Sequence, residues 1–137
     1  MIPVKVCGIT NMDDASFVAD SGVSAIGFIF YEKSPRYIDP KLAFKIISNI
    51  KTNIAFVGVF VNEDLSMVNS ISKKVGLDFV QLHGNEGPSY CDKVLCPVIK
   101  AFRVGNFFDT KILADYDVHS FLFDTYDKNY CGGTGEV

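Results

Sequence analysis

Short apolar runs alternate with more polar segments along the whole chain, and the runs are rich in Val, Ile and Phe. Continuous apolar runs of this length, bounded by glycine or polar residues, are typical of strands that are buried on both faces. The six runs that predict strands are 3–7, 25–30, 54–61, 78–82, 97–102 and 120–124.

The segments between these runs carry the signals of helices. Asn11, followed by Asp13 and Asp14, is typical of a capped helix start, and this helix is predicted to end at Gly22. Pro40 suits the first turn of a second helix, in which apolar residues recur at helical spacing. Further helices are predicted from 62–64 to about 74, over 89–94 and over 107–114.

This alternation of strands and helices predicts a parallel sheet covered on both faces, either an open doubly wound sheet or a (β/α)8 barrel. An open sheet of the dinucleotide-binding type would carry G-x-G-x-x-G after its first strand, and that motif is absent. Polar or reactive residues end several strands (Cys7, His83, Arg103 and Asp124), and a barrel gathers such residues into one site. We therefore predict an α/β fold of the parallel (β/α)8 TIM-barrel type. Residues 1–137 would hold about the first six βα units as a single incomplete domain.

Composition and charge narrow the possible functions. The 137 residues are 48% hydrophobic and 21% charged, which predicts one globular domain with a substantial core. A net charge of −3 argues against nucleic acid as a partner, and no apolar run approaches the length of a membrane span. The four cysteines lack the spacing of a metal site. Without a signal peptide they are expected to be reduced thiols in the cytoplasm.

Seven blocks of residues follow one another in a distinctive order: KVCGIT (5–10), GFIF (27–30), SPRYI (34–38), GVFVN (58–62), VQLHGNE (80–86), IKAF (99–102), and FD (123–124) with GGTG (132–135). Together they resemble the phosphoribosylanthranilate isomerases, and the resemblance covers the whole chain. It implies a (β/α)8 barrel enzyme of tryptophan biosynthesis that uses no metal and no organic cofactor. The implied reaction is the Amadori rearrangement of N-(5-phosphoribosyl)anthranilate to 1-(2-carboxyphenylamino)-1-deoxyribulose 5-phosphate.

This rearrangement needs an acid and a base. The acid protonates the ribose ring oxygen and opens the ring to an iminium ion. The base then removes the C2 proton, giving an enolamine that tautomerises to the ketone. The resemblance implies that Cys7 is the base, which requires an accessible thiolate, and that Asp124 is the acid. It also implies that Arg36 binds the anthranilate carboxylate, a task that suits the two-pronged guanidinium.

Other residues are weaker candidates. His83 is expected at the mouth of the fourth strand, where it either lines the site or bonds to loop backbone. The glycine-rich segment 132–135 resembles a loop that closes over the substrate, so Gly132 and Gly133 are predicted to contact it, although the G-K-[ST] of a P-loop is missing. Lys5 is expected to point out of the first strand. Arg103, at the end of the fifth, would add positive potential.

A complete barrel takes about 250 residues, and its phosphate-binding loops follow strands seven and eight. Residues 1–137 are therefore expected to show little unaided turnover, and strands one and six would have open edges. We interpret the chain as a partial sequence of a normal enzyme; one piece of a split barrel and a degenerate remnant are the alternatives. The expected partners are the phosphosugar-anthranilate substrate and either a second copy, in a homodimer, or a completing barrel fragment.

Two other classes of function compete with this interpretation. A related sugar-phosphate barrel enzyme would carry a different residue at position 7. A non-catalytic binding domain would lose nothing measurable when Cys7 or Asp124 is replaced by alanine.

Overall fold

The computed structural model describes residues 2–105 and 107–125, in which six parallel strands alternate with helices. The strands are β1 (Lys5–Cys7), β2 (Ala25–Ile29), β3 (Ala55–Phe60), β4 (Phe79–Leu82), β5 (Val98–Val104) and β6 (Ser120–Thr125). The helices are α1 (Met12–Asp20), α2 (Pro40–Asn49), α3 (Leu65–Val75), α4 (Pro88–Cys91) and a 3₁₀ helix (Thr110–Asp115).

The strands lie side by side in the order in which the sequence provides them, and every neighbouring pair is parallel. A doubly wound sheet reverses its strand order at a switch point, whereas a barrel adds each strand beside the previous one. The sheet is also curled, because Lys5 Nζ on β1 reaches Gln81 Oε1 on β4 at 2.6 Å. The prediction of a barrel-type α/β fold with six βα units is confirmed.

The main hydrophobic core lies between the helices and the outer face of the sheet. Every second strand residue points outward, since side chains alternate between the two faces of a strand. The best-buried members of this core are Ile26, Phe28, Phe60, Val80 and Leu82 on strands, and Ala15, Ala43, Ile46 and Val68 on helices. The remaining strand residues point inward, and those nearest the carboxyl ends of the strands surround the site described below.

Side-chain caps fix where the first three helices begin. Asn11 Oδ1 accepts a hydrogen bond from Asp14 N at 2.8 Å, and Asp39 and Asp64 cap α2 and α3 in the same manner. Gly76, in the left-handed conformation with φ of 81°, ends α3. These caps also fix where the loops from strand to helix end, and those loops surround the carboxyl ends of the strands.

Two predicted helices differ from the structure. Only Pro88–Cys91 is helical where 89–94 was predicted. The prediction of an α-helix over 107–114 was wrong, because the segment forms the 3₁₀ helix Thr110–Asp115. A 3₁₀ helix rises about 2.0 Å per residue against 1.5 Å for an α-helix, so it suits a short return connection between strands.

In the described part of the chain, β1 and β6 each pair with one strand. Within 2–105 and 107–125 the predicted open edges are therefore present; Val4, just before β1, is 51% exposed, and Phe123, in β6, is 55% exposed. None of the helices within 2–105 and 107–125 is long and apolar enough to cross a bilayer.

Candidate active site

A cavity of about 290 Å³ lies at the carboxyl ends of the strands. We call this end of the sheet the barrel mouth. Its polar lining includes Cys7, Arg36, His83 and Asp124, four residues that the sequence singled out. Its apolar lining consists of Ile29, Val59, Val61 and Leu122. The fold thus brings together side chains that are far apart in the sequence. The other two predicted contacts, Gly132 and Gly133, lie outside the described residues.

Cys7 is the last residue of β1 and lies beside Gly27 of β2. The amides of Gly8 and Ile9 both donate to the carbonyl oxygen of Gly27, at 2.9 and 3.1 Å, which fixes the backbone just after the thiol. A Cβ atom on Gly27 would lie 2.6 Å from Cys7 Sγ. The missing side chain at Gly27 therefore makes the room that the thiol occupies.

Arg36 reaches the same cavity from the loop between β2 and α2. Its Nη1 donates to the carbonyl oxygen of Cys7 at 3.1 Å, and its own amide donates to Ser34 Oγ at 3.2 Å. A guanidinium has five N–H donors, so this contact leaves the group able to bind a carboxylate as well. This hydrogen bond fixes the guanidinium of Arg36 relative to the backbone of Cys7.

Four polar side chains form a continuous series of hydrogen bonds across the barrel mouth, which we call the mouth network. Lys5 Nζ donates to Gln81 Oε1 at 2.6 Å, Gln81 Nε2 lies 2.8 Å from His83 Nδ1, and His83 Nε2 lies 3.1 Å from Asp124 Oδ2. The other oxygen of Asp124 accepts from the amide of Thr125 at 2.9 Å. The network connects β1 and β4 with β6 and orients the carboxylate.

The surroundings of His83 favour its neutral form. Burial lowers the pKa of its imidazole below the ordinary value, and the positive charges of Arg103 and Lys100 act in the same direction. The hydrogen bond and the negative charge of Asp124 oppose this lowering of the pKa but do not overcome it. The side chains of His83 and Asp124 are 14% and 20% exposed, so both remain accessible to a small molecule in the cavity.

A buried ion pair supports the loops around the mouth from outside the cavity that Cys7 lines. Lys100 Nζ lies 2.9 Å from Glu86 Oε2, and each side chain is 2% exposed. Glu86 also accepts hydrogen bonds from the amides of Asn62 and Gly84, at 2.7 and 2.9 Å. One carboxylate thereby ties the loop after β3 to the loop after β4, which begins with His83.

Sequence reasoning underrated one member of the mouth network and overlooked another. Lys5 was expected only as a weaker candidate, and its side chain lies in the cavity, on the same face of β1 as Cys7. Gln81 was not considered, although it shares a face of β4 with His83. The signal was present in both cases, since residues two apart in a strand point the same way. Arg103 lines the cavity as expected, and its Nε atom is buried without a hydrogen-bond partner in the described part of the chain.

No group of three His, Cys, Asp or Glu side chains within 2–105 and 107–125 is arranged to hold a metal ion. Cys91 and Cys96 lie outside the cavity, and burial raises the pKa of both thiols. The residues that line the cavity include groups that can transfer protons, such as Cys7 and Asp124, and groups that can form ion pairs, such as Arg36.

Comparison with known proteins shows which family the chain resembles. The family model for N-(5'-phosphoribosyl)anthranilate (PRA) isomerase matches residues 4–137. The N-(5'-phosphoribosyl)anthranilate isomerase of Citrifermentans bemidjiense is 48% identical over 136 residues, which are 99% of this chain and 66% of that protein. The chain thus spans about two thirds of the length of this relative.

Two solved structures share the fold closely. One is a phosphoribosyl anthranilate isomerase in complex with reduced 1-(o-carboxyphenylamino)-1-deoxyribulose 5-phosphate, with a TM-score of 0.81 and 39% identity, covering 93% of this chain and 66% of that one. The other comes from monomers generated from the dimeric isomerase of Thermotoga maritima, with a TM-score of 0.84 and 41% identity, covering 91% and 64%. On this evidence the chain belongs to the N-(5'-phosphoribosyl)anthranilate isomerase family.

Proposed function

We propose that this chain supplies the acid–base part of an isomerase that converts N-(5-phosphoribosyl)anthranilate into 1-(2-carboxyphenylamino)-1-deoxyribulose 5-phosphate. The observation that carries the proposal is the convergence of Cys7, Arg36 and Asp124 on one cavity at the barrel mouth. Family membership supports it further, because a relative of similar fold binds a reduced form of this product.

In the proposed mechanism, Asp124 transfers a proton to the ribose ring oxygen, and the C1–O bond breaks to leave an iminium ion. Cys7, as thiolate, then removes the proton from C2, so that an enolamine forms and tautomerises to the ketone. After these two steps Asp124 is ionised and Cys7 carries a proton. Only protons are transferred, so the reaction needs no oxidant or reductant. His83 donates to the Asp124 carboxylate that remains after the first transfer, which stabilises that carboxylate.

The charges around the cavity suit an anionic substrate. Lys5, Arg36 and Arg103 are cationic, whereas Asp124 is the sole carboxylate among the described lining residues. The proposed substrate carries a carboxylate on its anthranilate ring and a phosphate on its ribose. Arg36 would bind the former, since its guanidinium is fixed beside Cys7 and retains free donors.

The phosphate is proposed to bind elsewhere. In phosphate-binding barrels the loops after strands seven and eight hold this group, and the described residues contain strands one to six. We propose that residues 1–137 form six of eight units of one domain. A fragment with the last two units would complete the site, and the completed barrel would form a homodimer, as the Thermotoga maritima relative does.

The test is complementation in solution. The 137-residue chain is mixed with a synthetic fragment carrying two βα units of a relative, and isomerisation is followed through the loss of substrate fluorescence. We expect little turnover from either piece and clear turnover from the mixture. In the mixture, Cys7→Ala and Asp124→Asn should each reduce kcat by about 10²–10⁴-fold, the range of acid–base catalysis.

Two matched variants control for unspecific effects. Cys96→Ala removes a thiol outside the cavity, and Asp117→Asn removes a carboxylate outside it, so both should retain the turnover of the mixture. Full activity of the 137-residue chain alone would contradict the proposal that the last two βα units are needed to complete the site. Full activity of both Cys7→Ala and Asp124→Asn would overturn the assignment of acid and base.

A further inference from the structure

We propose that Lys5 and Gln81 are positioning residues that hold His83 as the neutral tautomer with its proton on Nε2, so that His83 can only donate to Asp124. Neither residue contributes an acid or a base in the mechanism above. Their effect would follow from the direction of the hydrogen bonds in the mouth network, which is fixed from the Lys5 end.

The first step concerns the amide of Gln81. The ammonium group of Lys5 has donors and no acceptor, so the Gln81 atom 2.6 Å from it must be the oxygen. Turning the amide over would place its NH₂ group against the ammonium, two donors facing each other. Lys5 therefore decides that the Gln81 NH₂ group faces His83.

The second step concerns the imidazole. The Gln81 NH₂ group donates to His83 Nδ1 at 2.8 Å, so Nδ1 must present its lone pair. The proton of a neutral imidazole then lies on Nε2, because the hydrogen bond at one ring nitrogen sets the state of the other. A doubly protonated ring would again bring two donors together at Nδ1. The network thus disfavours both the other tautomer and the charged form.

The surroundings of His83 act in the same direction. Its side chain is 14% exposed, and the cations Lys100 and Arg103 lie near it. An imidazolium there would be partly desolvated, repelled by both cations and opposed by the NH₂ group of Gln81. Among the described residues, the negative charge of Asp124, 3.1 Å away, favours the imidazolium.

The consequence for catalysis rests on the proposed role of Asp124, whereas the tautomer itself does not. With Nε2 protonated and Nδ1 occupied, His83 has no free lone pair that could take a proton from Asp124. A proton carried by Asp124 is then not lost to His83 and can pass to the substrate. Once that proton has been transferred, the N–H group of His83 stabilises the carboxylate left behind.

The experiment is long-range ¹H–¹⁵N correlation spectroscopy of the ¹⁵N-labelled 137-residue chain without substrate, which shows which ring nitrogen carries the proton. The chain has two histidines, and His119, whose ring packs on Phe79, serves as an internal reference. We expect the Nε2–H pattern for His83 in the unmodified protein. A pattern of the Nδ1–H tautomer there would overturn the proposal without any variant.

Variants then test each step. Gln81→Glu keeps the size of the side chain and leaves only acceptors, so the proton of His83 should move to Nδ1 or the ring should become charged. Lys5→Met should give a mixture of tautomers, whereas Lys5→Arg, which also only donates, should keep the original pattern. The signals of His119 should stay unchanged throughout. An unaltered His83 pattern in both folded Gln81→Glu and Lys5→Met would refute the roles of these residues, whatever the complementation assay shows.

Discussion

The side chain of Arg36 lies directly across Gly8, so that a Cβ atom on Gly8 would be 2.8 Å from both Cδ and Nη1 of Arg36. Gly8 also has a φ of +88°, a conformation that side chains other than glycine rarely adopt. One glycine thereby satisfies two requirements. It turns the chain away after Cys7, and it leaves the space in which the guanidinium lies.

Gly8→Ala should therefore impair binding as well as stability. The left-handed backbone would cost about 1–2 kcal/mol of unfolding free energy, and the contact with Arg36 would add to it. Since Arg36 cannot keep its position, KM in the completed enzyme should rise at least tenfold while kcat changes less. Urea unfolding and steady-state kinetics measure the two effects.

Gly22 provides the matched control. It has a φ of +78°, and a Cβ atom there would meet nothing within 4 Å. Gly22→Ala should show the backbone cost alone and leave KM unchanged. Equal KM values for Gly8→Ala and the unmodified enzyme would show that the position of Arg36 does not depend on Gly8.

Gly27→Ala should conflict with the thiol that Gly27 accommodates. A Cβ atom 2.6 Å from Cys7 Sγ must displace the sulfur, and overpacking of this kind costs about 1–3 kcal/mol. Part of that cost should vanish when the sulfur is absent. In a double-mutant cycle from urea unfolding, Gly27→Ala should therefore be less destabilising in a Cys7→Ala background.

The control for this cycle is a thiol elsewhere. Cys96 lies outside the cavity, so the cost of Gly27→Ala should be the same with and without Cys96→Ala. A coupling to Cys7 below about 0.5 kcal/mol, the usual error of additivity, would show that the two residues are not in conflict.

Much of the fold could be predicted because its signals are local. Asn11 and Gly76 act on the backbone within a few residues of themselves, so the helix ends that they mark agree with the structure. The convergence of Cys7 and Asp124 followed from a rule of architecture, namely that parallel strands of a barrel present their carboxyl ends together. The family resemblance supplied the chemical roles, and these stay predictions.

The rest depended on contacts that the sequence does not specify. Lys5 and Gln81 meet because the sheet curls until β1 approaches β4, and neither the curl nor the direction of an amide is encoded locally. A charge at Lys100, on the helix-facing side of β5, does indicate a buried partner. Sequence alone gives no reason to choose Glu86 in the preceding loop. The 3₁₀ helix likewise reflects the path available to the chain between β5 and β6 rather than residue preference.

Lys100→Met should be strongly destabilising although it places an apolar residue in a buried position. It would leave the Glu86 carboxylate, 2% exposed, without its 2.9 Å partner. Breaking a buried ion pair from one side costs about 3–5 kcal/mol, because an uncompensated charge remains. Urea unfolding measures this loss.

Two further variants separate the charge from the packing. Lys73→Met, at an exposed position on α3, should change the unfolding free energy by no more than about 0.5 kcal/mol. Glu86→Gln added to Lys100→Met should recover part of the loss, since the buried charge is then gone. A cost of Lys100→Met below about 1 kcal/mol would mean that solvent reaches Glu86 and that the pair contributes little.

His83 should make the protein less stable in acid. Burial lowers the pKa of His83 in the folded state below the value of about 6.5 expected in the unfolded chain, so the unfolded state binds this proton more readily. By linkage, the stabilising contribution of the neutral imidazole is complete above about pH 6.5 and is lost as the pH falls through the folded-state pKa. The unfolding free energy, measured in urea from pH 7.5 to pH 5, should decrease more steeply for the unmodified protein than for His83→Gln. This variant removes the titration of His83 and retains the acidic groups that both proteins share.

An NMR titration of the two histidines locates the midpoint of His83 directly. A midpoint above about 6.5, together with a stability that rises towards acid, would mean that Asp124 holds a charged imidazolium and that burial is not the dominant influence.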